Sequence, residues 1–251
     1  MCGIVGYIGK RKNILIGLEA LKKLEYRGYD SCGFAFFSEK EKKIFSLKSA
    51  NRISQLEEKL QKSKFPLTGS PSIFHNRWAT HGPPIDINAH PHSDCKKKIW
   101  LVHNGIIENY RFLKEKLKRE NHQFSSQTDT EVLTHLIEKF FKGNLETAVI
   151  QALKLVKGTY GLAVISEDDH QKIVVARNSA PLLIGIGEGE FIVASDPSAI
   201  LGITQKVIYL DDREVGVLTP SNFFVTDLNQ IRKEKTIEEI DVETSIYFGI
   251  L

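Results

Sequence analysis

From residue 159 onward the chain is cut into short apolar runs. "TYGLAVIS", "KIVVARN", "LLIGIG", "EFIVAS", "KVIYL", "VGVLT" and "FFVTD" follow one another with turn residues between them. Runs of this length read as strands, and so many in close succession call for antiparallel sheet. One helical turn is expected among them, after Asp196-Pro197. Such a sheet must bury at least one face, so the cover has to come from earlier in the chain.

The first half supplies that cover. Residues 3–8 read as a short buried strand, and "NILIGLEALKKLEYR" then sets Ile14, Leu18 and Leu21 on one helical face. "CGFAFF" (32–37) and "KIFSL" (43–47) form a strand pair around the polar turn "SEKEK". A polar helix follows at 51–62, then the loop "FPLTGSPS". "SIFHNRWATHG" and "KKIWLVHNG" are strands that each run into a glycine-ended loop, and two helices come next. The second carries the stripe Val132, Leu133, Leu136, Ile137 and Phe140, with a capping box of Thr128 as N-cap and Glu131 three residues on. No Pro/Gly-rich linker, repeat or low-complexity segment divides the 251 residues, so one α+β domain is expected.

Charge narrows the partners. The 34 Lys and Arg nearly cancel the 31 Asp and Glu, and a net +3 argues against nucleic acid or an anionic membrane surface. Cysteines at 2, 32 and 95 are odd in number and far apart, which suits a reducing compartment. No apolar run approaches the ~18 residues of a membrane span, and the start lacks the layout of a signal peptide. A soluble, cytoplasmic protein is expected.

Chemistry concentrates around a few short stretches. Removal of Met1 would leave Cys2 with both a thiol and a free α-amine. An α-amine of pKa ~7.7–8.0 is well placed to act as base near neutrality. Taken alone, a second-position cysteine is more often an inert buried thiol; a myristoyl anchor would need Gly at position two, and Gly stands at three. Asn104-Gly105 offers a side-chain and a backbone N–H for an oxyanion, although Asn-Gly by itself is most often a turn. "RWATHG" brings Arg77, Trp78, Thr80 and His81, and Arg77 could fork onto a carboxylate. Asp129, in the first turn of the helix capped by Thr128, could receive an ammonium or simply answer the helix dipole. An Arg and an Asp gripping the two ends of an amino acid would specify a glutamine-like substrate. His75, His81, His90, His92 and Cys95 invite a metal reading, but they lack the compact ligand spacings, so no metal is expected there. "GIGEGE" (185–190) lacks the Lys-Ser/Thr of a phosphate loop and is expected to be a hairpin turn.

"CGIVGYIG", "LEYRGYDS", "HNRWATHG", "NAHPH", "LVHNGIIENY" and "QTDTEV" together resemble the glutaminase domains of the glutamine–fructose-6-phosphate aminotransferase family, from Cys2 to about residue 240. The resemblance implies an N-terminal-nucleophile hydrolase fold, a four-layer αββα sandwich of two stacked antiparallel sheets. It implies Cys2 as nucleophile with its α-amine as base, and Asn104 and Gly105 as oxyanion hole. Arg77, Thr80, His81 and Asp129 would hold L-glutamine, with Trp78 on a loop that closes over it. Arg27 and Gly28 match a motif near the site. Glutamine would be cleaved to glutamate and ammonia through a γ-glutamyl thioester, without metal or organic cofactor. Ammonia would pass to fructose 6-phosphate on sugar-isomerase domains in a homodimeric enzyme.

Asn76 and Cys32 stand where the resemblance leads one to expect Thr and Ala. Residues 1–240 are expected to form the glutaminase domain and 241–251 a tail, with the sugar-isomerase domains absent from this polypeptide. A second reading keeps the fold as a glutamine-sensing or regulatory module without turnover. The intact Cys2, Asn104 and Asp129 weigh against it.

Overall fold

The structure, a computed structural model, describes residues 2–11, 13–79 and 81–240. Met1, Thr80 and the tail 241–251 therefore lie outside the described residues. The chain opens with β1 (Gly3–Gly9), α1 (Leu15–Lys22), β2 (Ser31–Ser38), β3 (Lys43–Ser49) and α2 (Ile53–Lys62). It continues through β4 (Ser72–Arg77), β5 (His92–Ser93), β6 (Ile99–Ile107), α3 (Tyr110–Arg119), α4 (Glu131–Phe140) and α5 (Leu145–Leu153). The β-rich half holds β7 (Gly158–Ser166), β8 (Ile173–Asn178), β9 (Leu183–Gly187), β10 (Glu190–Ala194), β11 (Lys206–Tyr209), β12 (Glu214–Leu218) and β13 (Phe223–Asp227). Two-residue strands β14 (Arg232–Lys233) and β15 (Glu238–Glu239) close it.

Eight strands make one sheet in the order β15-β11-β9-β10-β1-β4-β2-β3, and seven make a second in the order β14-β13-β12-β8-β7-β6-β5. The paired strands are antiparallel in both. Three apolar layers hold the sheets and helices together. Ile4, Ile8, Ile73, Val102, Ala163 and Val175 belong to the layer between the sheets. Leu18, Leu21, Leu56, Phe34 and Phe74 join α1 and α2 to the outer face of the first sheet. Leu113, Leu133, Ile137, Val149, Leu162 and Val174 join α3, α4 and α5 to the outer face of the second. The result is the four-layer αββα arrangement. Alternation along each central strand feeds two of these layers at once, which is why β1 and β4 are buried along their whole length.

Several local expectations hold. Ile14, Leu18 and Leu21 are buried, "SEKEK" turns between β2 and β3 with Phe36 opposite Phe45, and "GIGEGE" is the β9–β10 hairpin with Gly189 at φ +70. The first helix is shorter than its apolar pattern and ends in a separate 3-10 turn at Glu25–Arg27. Helix α5 was not expected, yet Asn144 caps it by accepting the Thr147 N–H at 2.9 Å, and Leu145, Ala148, Val149, Ala152 and Leu153 form its buried stripe.

The capping box at α4 does not form. The helix begins at Glu131, with Thr130 at the N-cap and no side-chain cap bond. Thr128 Oγ1 instead meets Ser126 Oγ at 2.9 Å and His92 Nε2 at 3.1 Å. Glu131 turns back on the preceding loop and accepts from the backbone N–H and hydroxyl of both Ser125 and Ser126, at 2.7–2.8 Å. Four bonds to a folded-back loop outweigh the single backbone N–H a capping box would give this carboxylate. Asp129 consequently lies ahead of the helix rather than in its first turn.

Candidate active site

β1 and β4 run side by side in the middle of their sheet, with Gly3 opposite Asn76. That register sets Cys2, immediately ahead of β1, beside the end of β4. The Trp78 N–H donates to Cys2 Sγ at 3.2 Å, and the thiol lies 3.6 Å from the Trp78 carbonyl. Burial pushes the Cys2 thiol above its ordinary value, and the Trp78 N–H offsets part of the rise. Asn76, one of the two departures, fills the space over Gly3 and donates to the Leu24 carbonyl at 2.7 Å. Cys32, the other, is buried with its thiol pushed up to about 12 by desolvation, so it is chemically quiet.

The Cys2 carbonyl is held from two sides. Arg27 Nε donates to it at 3.2 Å while Arg27 Nη1 pairs with Asp196 at 2.9 Å. Asn104 Nδ2 donates to the same oxygen at 3.0 Å. Gly28 serves by its lack of a side chain, since a Cβ there would come within 2.7 Å of the Arg77 carbonyl carbon. The turn 25–28 can therefore lie flat against the end of β4.

Asn104 and Gly105 come from β6 of the other sheet. Gly105 has φ +129, and a Cβ on it would stand 2.1 Å from the Thr159 oxygen, so no other residue fits this backbone. Asn104 Oδ1 faces His75 Nε2 at 3.0 Å, which fixes the amide with its NH₂ toward Cys2. His75 therefore orients Asn104, a contact that sequence reasoning missed because the two sit on different sheets. His75 stacks on His90 at 4.0 Å and His90 meets His92 at 4.8 Å. His103 donates its backbone N–H to His90 Nδ1 at 3.2 Å, and its own Nδ1 meets Thr130 Oγ1 at 2.9 Å. Three of the histidines in the suspected metal stretch are thus a buried stack beneath the site. His81 stands apart, beside Tyr110 at 5.6 Å.

Arg77 is buried, with Nη2 bonded to the carbonyls of His81 and Gly82. Its Nη1 is buried without a hydrogen-bond partner among the described residues. Asp129 is 4% exposed and accepts the Ile107 N–H at 2.7 Å, which ties the end of β6 to the start of α4. Cys2, Arg77, Trp78, Gly105 and Asp129 line one cavity, together with His90, His103, Thr128 and Thr130, which were not expected there. Asn104 and Arg27 sit behind Cys2, and Thr80 lies outside the described residues. The cavity holds only about 20 Å³, room for roughly one water. Trp78, 49% exposed and edge-on to Tyr29 at 5.6 Å, forms its outer wall. A thiol, a buried guanidinium with an open N–H, a buried carboxylate and an oriented amide donor suit acyl transfer from a zwitterionic substrate.

A family model described as a glutamine amidotransferase domain matches residues 75–202, just over half of the chain. Glutamine–fructose-6-phosphate aminotransferase (isomerizing) of Chlorobaculum tepidum is 47% identical over 246 residues, covering 96% of this chain and 40% of that protein. The protein of the same name from Pyrococcus horikoshii is 48% identical over 243 residues, with the same shares. The chain thus spans about 40% of the length of these curated relatives. Among solved structures, glutamine phosphoribosylpyrophosphate amidotransferase from B. subtilis superposes with a TM-score of 0.76 at 25% identity, over 90% of this chain and 49% of that one. A structure described as the allosteric regulatory enzyme of purine biosynthesis gives 0.77 at 26%, with the same coverage. Among the described residues no helix is long and apolar enough to cross a membrane. Matched by its family model over residues 75–202 and sharing the fold of a solved glutamine amidotransferase, the chain belongs to the glutamine amidotransferase domain family.

Proposed function

We propose that this domain, residues 1–240, hydrolyses the side-chain amide of L-glutamine and so supplies ammonia for making glucosamine 6-phosphate from fructose 6-phosphate. The observation that carries the reading is Cys2 at the head of β1, sharing one cavity with Arg77 and Asp129 while Asn104 grips its carbonyl. Arg77 Nη1, buried and open, takes the substrate α-carboxylate, and Asp129 takes the α-ammonium through the oxygen that Ile107 leaves unused. Thr80 and His81 are proposed as further glutamine contacts on the resemblance of "RWATHG" alone. Because the cavity is so small, Trp78 must swing outward for glutamine to enter.

A thiol raised by burial needs a base, and the α-amine of Cys2 fills that role once Met1 is removed. The amine takes the Sγ proton and the sulfur attacks the amide carbon. Negative charge moves to the amide oxygen, where the second hydrogen of Asn104 Nδ2 and the Gly105 N–H receive it. Collapse breaks the C–N bond, the α-ammonium returns its proton, and ammonia leaves with the γ-glutamyl group on sulfur. Water, deprotonated by the same amine, then attacks the thioester and releases glutamate and the free thiol. The acceptor chemistry named in the relatives is a destination for the ammonia, not a step at this site.

Glutamate release from glutamine by the purified protein tests the reading; a folded protein without turnover would instead favour the sensing module. Asn104→Ala refines it. Losing one oxyanion donor costs about 10²–10³ in kcat, with KM little changed. The fold should survive, because His75 Nε2 keeps the His103 carbonyl at 3.2 Å. A near-normal kcat in the folded variant would place the oxyanion elsewhere.

A further inference from the structure

We propose that Cys95, His122, His135 and Glu138 form a four-ligand structural site for a divalent transition metal of the zinc class. These residues come from three segments: the turn ahead of β6, the loop after α3, and one face of α4. Their ligand atoms all lie within 4.8 Å of one another. Cys95 Sγ is 3.8 Å from His122 Nδ1 and 3.5 Å from His135 Nδ1. Glu138 Oε2 is 2.8 Å from His122 Nδ1 and 3.1 Å from His135 Nδ1. A tetrahedral zinc ion with bonds of ~2.3 Å to sulfur and ~2.0 Å to nitrogen and oxygen sets neighbouring ligand atoms ~3.3–3.6 Å apart. The four separations bracket that range.

Hydrogen bonding alone accounts for only part of the cluster. Each imidazole Nδ1 carries at most one hydrogen, yet each faces both the Glu138 oxygen and the Cys95 sulfur. A cation at the centre is approached by two nitrogen lone pairs, a thiolate and a carboxylate, and leaves none of them competing. The mixed sulfur and imidazole donors favour zinc over magnesium or calcium. One outer partner is in place: the Gln123 N–H donates to Cys95 Sγ at 3.4 Å. His135 Nε2 is buried without a hydrogen-bond partner among the described residues and faces Glu131 Oε1 at 3.8 Å. Glu138 meets both imidazole Nδ1 atoms through one carboxylate oxygen and offers the site an anionic ligand. Metal binding displaces the Cys95 thiol proton and forms a metal–sulfur bond. Cys95 is exposed and gives the ion its way in, while His135 is buried. The site ties the base of the 122–130 loop, which ends beside Asp129, to the β5–β6 turn.

The test is titration of reduced, chelator-stripped protein with Co²⁺. One equivalent should give a near-ultraviolet thiolate-to-cobalt band and the visible bands of tetrahedral cobalt, both abolished by one equivalent of Zn²⁺. Cys95→Ser should remove the near-ultraviolet band, whereas Cys2→Ala should keep it. Should Cys95→Ser fail to fold, X-ray absorption of the zinc-loaded protein decides, with one sulfur and three nitrogen or oxygen neighbours expected. No saturable cobalt spectrum, a charge-transfer band that survives in folded Cys95→Ser, or a zinc shell without sulfur would overturn the proposal.

Discussion

Cys2→Ala is expected to abolish glutamine hydrolysis, by at least ~10⁴-fold in kcat/KM, while leaving the fold unchanged. The loss is large because the residue supplies the atom that carries the glutamyl group, and no neighbour can stand in for it. Cys32 is buried behind the first sheet with its thiol pushed up to about 12, and Cys95 belongs to the cluster on α4. Stability should move little, since among the described residues the Cys2 side chain bonds only to the backbone of Trp78. The carbonyl contacts from Arg27 and Asn104 do not involve the side chain and remain. Cys2→Ser should also be strongly impaired, because an alcohol gives up its proton to the amine far less readily than a thiol does. A diazo ketone analogue of glutamine discriminates among the three thiols, and peptide mass spectrometry should find it on Cys2 of a chain lacking Met1. Label on the exposed Cys95, or measurable turnover in folded Cys2→Ala, would show that the nucleophile is elsewhere.

What could be read from sequence was whatever is local or carried by ordered motifs. Strand runs, the β9–β10 hairpin and the α4 stripe follow from periodicity and turn residues, so they appear where expected. Cys2, Arg77, Trp78, Gly105 and Asp129 sit in motifs and share one cavity. Contacts across the sandwich were not legible. His75 orients Asn104, but one is on β4 and the other on β6, and only the stacking of two sheets brings them within 3.0 Å. The motif around Arg27 and Gly28 carries no role in sequence; only the close approach of the 25–28 turn to Arg77 and the Arg27 bond to the Cys2 carbonyl give it one. The capping box failed for a related reason. Thr128 and Glu131 have the right spacing, yet the loop folds back and offers Glu131 the two serine N–H groups first. Helix α5 carries local signals of its own, an Asn cap and a full apolar stripe, weaker than those of α4. The Cys95 cluster spans residues 95–138 and only His135 and Glu138 are close in sequence, so the histidines and cysteine nearest in sequence suggest a grouping the fold does not make.

The buried histidines make a second large effect, on stability rather than turnover. His75, His90, His92 and His103 are each at most 4% exposed. Burial holds all four imidazoles neutral in the folded chain, with His75 pushed down to about 3 and the others also lowered. In the unfolded chain a histidine titrates near 6.5. Protons therefore bind preferentially to the unfolded chain below about pH 6.5, so the stability these groups carry is complete above that value and drains away as pH falls toward 3. Few carboxylates titrate between pH 7 and 5, which isolates the imidazoles in that window. Each one that stays neutral in the fold removes about 2 kcal/mol between pH 7 and 5, so even two would remove about 4 kcal/mol. That is a large part of a total of roughly 5–15 kcal/mol. His135 shows the opposite sign. Burial would lower it, but Glu131 and Glu138 raise it in the metal-free chain, so its contribution grows as pH falls through about 6.5, against the trend of the other four. Urea midpoints measured at half-unit steps from pH 7 to 5 should fall steeply, with more than one proton taken up per chain on unfolding. A flat profile, or uptake below one proton, would mean that the stack is already charged in the folded state and that Asn104 is oriented by something other than a neutral His75.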